Sequence, residues 1–123
     1  QRDEPSLHAF GEAINFLTAI GQPAIEARSR ELGRALIAGL SKMDGVKMWT
    51  SPDPTRSVAV ISFQPGSLEP AKVTAALERD GIVCAPRAGA DRPGIRFSPH
   101  FYNTDTDVER CLAAISRYLK TGI

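Results

Sequence analysis

The spacing of apolar residues switches back and forth along this chain, so the chain must mix long helices with short strands. From Leu7 they fall three and four apart, at Leu7, Phe10, Ile14, Leu17 and Ile20, which builds one face of a helix. Asp3 or Ser6 is placed to cap its start, and Gly21 to end it. Pro23 suits the first turn of a second helix, whose stripe of Ile25, Leu32, Leu36 and Leu40, widened by Ala35 and Ile37, runs to about Lys42. After the Asp44-Gly45 turn the period shortens, and Val46 and Met48 alternate with Lys47 and Trp49 as in a half-buried strand. Ser57 to Phe63 is a short β-branched apolar run that suits a central strand.

The same grammar continues to the end. Ser67 and the Glu69-Pro70 step start a helix through Val73, Ala76 and Leu77 that closes at Gly81, and Ile82-Val83-Cys84-Ala85 reads as the next strand. A loop rich in Gly, Pro and Arg, residues 86–94, leads to the short extended piece Ile95-Arg96-Phe97. Thr104-Asp105-Thr106-Asp107 resembles a capping box with Asp in place of Glu, and Val108, Cys111, Leu112, Ile115 and Leu119 mark the face of the last helix. This order predicts an α+β fold: a two-layer sandwich of a small, mostly antiparallel sheet with helices on one face. Val58, Val60, Ile61, Phe63, Ile82 and Val83 are expected on the covered face, with Leu36, Leu77, Leu112 and Ile115 packed on it. The first helix is longer than such a sheet needs, which points to something further lying against it.

Composition removes several function classes. The net charge of +1 over 123 residues leaves no broad field to attract nucleic acid or an anionic membrane. Arg28, Arg30 and Arg34 alternate with Glu26 and Glu31, as on a solvated helix face. Cys84 and Cys111 have no CxxC spacing and no His pair nearby, so they read as small buried hydrophobes and no metal site is expected. No apolar run approaches the roughly 18 residues of a membrane span, and Gln1-Arg2-Asp3-Glu4 does not open a signal peptide, so a cytoplasmic location is expected. The missing initial Met suggests a fragment or a processed product.

One residue stands out chemically. Ile95 and Phe97 turn to one face of their strand, so Arg96 projects from the other. A guanidinium there is either a planar fork for a carboxylate or one half of a surface ion pair. Ser98 and Asn103 suit ligand contact or turn hydrogen bonding, and His100 suits a titrating group or a donor to a ligand. Residues 89–94 lack the spacing of a phosphate loop and the Lys that would follow it.

The string Gly94-Ile95-Arg96-Phe97-Ser98-Pro99-His100-Phe101-Tyr102-Asn103-Thr104 resembles the C-terminal signature of class V aminotransferase-like enzymes, which include isopenicillin N epimerase-like proteins, cysteine desulfurases and selenocysteine lyases. Ile20-Gly21 with Ile25-Glu26-Ala27-Arg28, and Gly81-Ile82-Val83 with Arg87, are similar to the family's pattern too, so the resemblance spans the chain. It implies the C-terminal small domain of a fold type I enzyme dependent on pyridoxal 5'-phosphate (PLP) and acting on amino acids as an epimerase, aminotransferase or lyase. Residues 1–123 would form one domain, in which 1–44 is a long helical segment linking to a large domain outside the chain and 45–123 is the small α+β domain.

In the family, the arginine matching Arg96 holds the substrate carboxylate, and Arg87, Ser98 and His100 are the neighbouring candidates. The lysine that bonds PLP belongs to the large domain, so no catalytic residue is expected among Lys42, Lys47, Lys72 and Lys120. Two departures appear. Residues 86–94 contain no cysteine, where desulfurases carry their nucleophile, and Gln1 stands where many members have a threonine that touches the cofactor phosphate of a partner subunit. The resemblance implies a homodimer. A free-standing α+β module for binding or dimerisation, needing no cofactor, is the competing reading.

Overall fold

The computed structural model describes residues 3–87, 89 and 91–123; the Gln1 position lies outside them. The elements run α1 (Glu4–Ile20), α2 (Gln22–Leu40), β1 (Val46–Met48), β2 (Ile61–Pro65), α3 (Pro70–Arg79), β3 (Ala85–Arg87), β4 (Gly94–Phe97) and α4 (Asp105–Thr121). The element order is the one expected. Helix ends follow the predicted chemistry: Asp3 accepts the Ser6 N–H, Gly21 turns the chain between α1 and α2 at φ 93°, and Thr104 with Asp107 forms a complete capping box.

The strands form one antiparallel sheet in the order β1-β2-β4-β3. Ile61 and Phe63 of β2 and Ile95 and Phe97 of β4 are buried on one face, in a single core with Leu32, Leu36 and Leu40 of α2, Val73 and Leu77 of α3, and Val108 and Ile115 of α4. Helices cover that face alone among the described residues, so the fold is the predicted two-layer α+β sandwich. By contrast α1 buries no residue, and Phe10 and Phe16 are 66% and 63% exposed.

Two predicted strands shift, for local reasons. Residues 57–60 stay outside the sheet, and Val58 and Val60 are exposed. Arg30 binds the Ser57 carbonyl at 2.9 Å, and the missing side chain of Gly33 lets the Ala59 backbone lie close to α2, so this segment follows the helix and β2 starts only at Ile61. Residues 82–84 also stay out of the ladder, with Val83 87% exposed. The Ile82 N–H closes α3 by donating to the Leu77 carbonyl, and the register of Ala85 with Arg96 would set Ile82 opposite Pro99, which has no N–H to give. Ile82 itself is in the core as expected, while Leu112 is half-buried, seated above Gly39 at the edge of the packing.

Arg28 and Arg30 correct the picture of a solvated arginine face. Arg28 donates to the Asn103 carbonyl at 3.3 Å and to the Asp105 carboxylate at 3.0 Å, tying α2 to the turn before α4. Arg30 holds the Pro54 and Ser57 carbonyls. Asp80, at the end of α3, accepts hydrogen bonds from Tyr118 and Arg117 of α4.

Three stability predictions rest on this geometry. A Cβ on Gly94 would stand 2.1 Å from the Phe63 carbonyl oxygen, so Gly94→Ala is expected to cost about 1–3 kcal/mol in denaturant unfolding as β4 is pushed off β2. Thr104→Ala removes the cap of α4 and should cost about 0.5–2 kcal/mol. The Thr104 backbone N–H holds the Asp107 carboxyl below the ordinary aspartate value of 3.8. The unfolded chain therefore takes up that proton more readily, and the stabilisation is complete above the ordinary value and lost as pH falls through the lower folded one. Asp107→Asn should make unfolding less sensitive to pH in the acid range below about pH 4.

Candidate functional site

Because the helices lie on one side, alternation sends a second set of side chains to the uncovered side of the sheet. One row across it is Trp49, Ser62, Arg96 and Ala85: Ser62 pairs with Arg96, Arg96 with Ala85, and the Trp49 N–H bonds the Ser62 carbonyl. The next row is Lys47 opposite Gln64, then Gly94 opposite Arg87. Three cations thus share a face on which the strands place no acidic residue. Arg96 is exposed between buried Ile95 and Phe97, the orientation read from the sequence. Among the described residues neither Arg96 nor Arg87 enters an ion pair, whereas Arg28, Arg30 and Arg117 do. Two unneutralised guanidiniums on adjacent strands, separated by small side chains, can take up an anion by paired charge-assisted hydrogen bonds.

The other two predicted site residues lie beyond the end of β4. Ser98 borders an open cleft of about 430 Å³, lined also by Leu36, Phe97, Tyr102, Val108 and Cys111. His100 is exposed in the turn, its ring against Phe101 and Tyr102 with centroids 4.5 and 4.6 Å away. Its backbone N–H donates to the Asn103 side chain, so Asn103 serves the turn. The sheet brings Arg96 and Arg87 together, and no hydrogen bond joins Ser98 or the His100 side chain to either of them among the described residues.

Sequence reasoning missed Trp49. Its indole N–H donates to the Pro93 carbonyl at 2.9 Å, at the end of the loop between β3 and β4, and the Lys47 ammonium lies 4.4 Å from its ring centroid. The one local signal was an aromatic residue at an outward strand position.

Both thiols are harder to ionise than an ordinary cysteine. Burial raises the Cys84 thiol, and burial followed by the charge of Asp107 pushes Cys111 up to about 11. Labelling of both by iodoacetamide at pH 8 is expected to lag far behind that of the urea-unfolded chain, as read by mass spectrometry; equal rates would contradict the burial seen here.

Residues 4–111 match the family model described as aminotransferase class-V. The chain belongs to this family. It is 32% identical over 116 residues to a probable cysteine desulfurase of Mycobacterium leprae, covering 87% of this chain and 28% of that protein. It is 33% identical over 117 residues to the isopenicillin N epimerase of Amycolatopsis lactamdurans, covering 91% of this chain and 29% of that protein. An apo cysteine desulfurase from Thermococcus onnurineus shares the fold with a TM-score of 0.77 at 24% identity, over 87% of this chain and 29% of that one. A mutant of the lyase C-DES, solved with glycine linked to its PLP cofactor, shares the fold with a TM-score of 0.59 at 24% identity, over 76% of this chain and 23% of that one. The chain spans less than a third of the length of the two relatives from Mycobacterium and Amycolatopsis.

Proposed function

We propose that this chain is the C-terminal, substrate-carboxylate-binding domain of a PLP-dependent enzyme that acts on amino acids. The observation that carries the reading is Arg96, a guanidinium without an ion-pair partner among the described residues, on the uncovered side of a sheet in a class-V aminotransferase. A carboxylate meeting it gains two parallel hydrogen bonds, which fix both the position and the plane of the bound amino acid. Arg87 supplies a second positive charge one strand away, and its share is electrostatic.

The lysines here do not fit the covalent hold on PLP. Lys42, Lys47, Lys72 and Lys120 are all exposed, where an ammonium keeps its proton and is a poor amine nucleophile. On this reading the residues that bond the cofactor belong to a large domain outside the chain, and the exposed stripe of α1 packs against it. Helix α2, whose Leu32, Leu36 and Leu40 lie in the core, belongs with the small domain and not with the linking segment expected over 1–44. Electron withdrawal by the cofactor ring is the chemistry PLP brings when bound. This chain contributes orientation. Within the family the reading favours an epimerase, aminotransferase or lyase without a cysteine nucleophile on the β3–β4 loop, since residues 86–94 contain none.

In the full-length enzyme Arg96→Lys keeps the charge and loses the fork. Amino-acid binding is expected to weaken by about 1.5–3 kcal/mol, read as a rise in KM, with the cofactor absorbance unchanged. Unaltered kinetics would return Arg96 to the role of a surface strand residue.

A further inference from the structure

Ser62 and Gly94 are buried although they stand on the face that no helix covers among the described residues. Some side chain on that face must shield them. Trp49 is placed to do so: it stands in the row of Ser62 just past β1, and its indole reaches the Pro93 carbonyl, immediately before β4 and across β2. Lys47 lies over the ring and adds a cation–π contact that favours this tilt. Gly94 is confined from β2 as well, with the Phe63 carbonyl oxygen where a Cβ would be. The start of β4 is therefore held twice, by the ladder and by the indole. Arg96 follows two residues later, roughly 7 Å along a stiff extended strand, so any slack at Pro93 is passed on to the guanidinium.

We propose that Trp49 is a positioning residue for Arg96, aiming the guanidinium by holding the Pro93 carbonyl through its indole N–H. This rests on the reading of Arg96 as the carboxylate site. It assigns Trp49 no contact with the reacting atoms. The loss on removing it should therefore appear in substrate binding and vanish once Arg96 is gone.

The test is a double-mutant cycle in the full-length enzyme with cofactor bound, using Trp49→Phe, which keeps a ring and removes the N–H, and Arg96→Gln. Trp49→Phe is expected to raise the amino-acid KM about three- to tenfold at unchanged kcat and unchanged cofactor absorbance. In the Arg96→Gln background it should leave KM where that variant already put it. Trp49→His retains a ring N–H and should recover most of the affinity; if Trp49→Phe does not fold, the same cycle is run with Trp49→Leu, which also lacks the N–H, and there coupling supports the proposal and additivity overturns it. Additive effects, or an unchanged KM in Trp49→Phe beside a raised one in Arg96→Gln, overturn the positioning role and leave the carboxylate reading standing. No effect of Arg96→Gln overturns both.

Discussion

Phe63 and Phe97 lie on the two central strands, their ring centroids 5.4 Å apart and their planes tilted by 48°, and both are almost wholly buried. A slip of β4 by one residue against β2 would turn Ile95 and Phe97 into solvent and carry Arg96 into the core. Burying an unpaired guanidinium there would cost far more than the pairing could return. The register is thus fixed from both sides, by apolar side chains that must be inside and by a charge that must be outside. The facing of the sheet follows from it, including the rows in which Trp49, Ser62 and Arg96 stand.

The parts of the fold that were legible in the sequence are those decided within a few residues. The capping box at Thr104 and Asp107, the turn at Gly21 and the stripe of Leu32, Leu36 and Leu40 each depend on neighbours one to four positions away. The strand boundaries were not legible, because distant partners decide them. Val58 and Val60 have the composition of a strand, yet Arg30 holds that stretch along α2 from 27 residues away. Val83 likewise has strand character, and the end of β4 at Phe97 leaves it nothing to pair with. Composition reported what these residues favour, and tertiary contacts decided what they do.

The candidate site divides in the same way. Alternation around Ile95 and Phe97 was enough to turn Arg96 outward, because a strand period of two needs no knowledge of the rest of the molecule. Trp49 and Pro93 are 44 residues apart, and Arg28 and Asn103 are 75 apart, so no local spacing foretold either hydrogen bond. Both bonds end on backbone carbonyls, which leave no mark in the side-chain sequence. They brace the two ends of the segment that carries Arg96, one just before β4 and one in the turn ahead of α4.

What leaves Arg96 without an ion pair among the described residues is the choice of its cross-strand neighbours. Ser62 on one side and Ala85 on the other are small and uncharged. Directly opposed side chains have Cβ atoms about 5 Å apart, close enough for a carboxylate at either position to pair with the guanidinium. Such a pair would be partly exposed and worth little to stability, yet it would occupy the fork that a substrate carboxylate needs. Three other arginines do pair, Arg28 with Glu31 and Asp105, Arg30 with Glu26, and Arg117 with Asp80. On the proposed reading, the lack of an acid beside Arg96 gives up little folding energy and leaves the charge for binding.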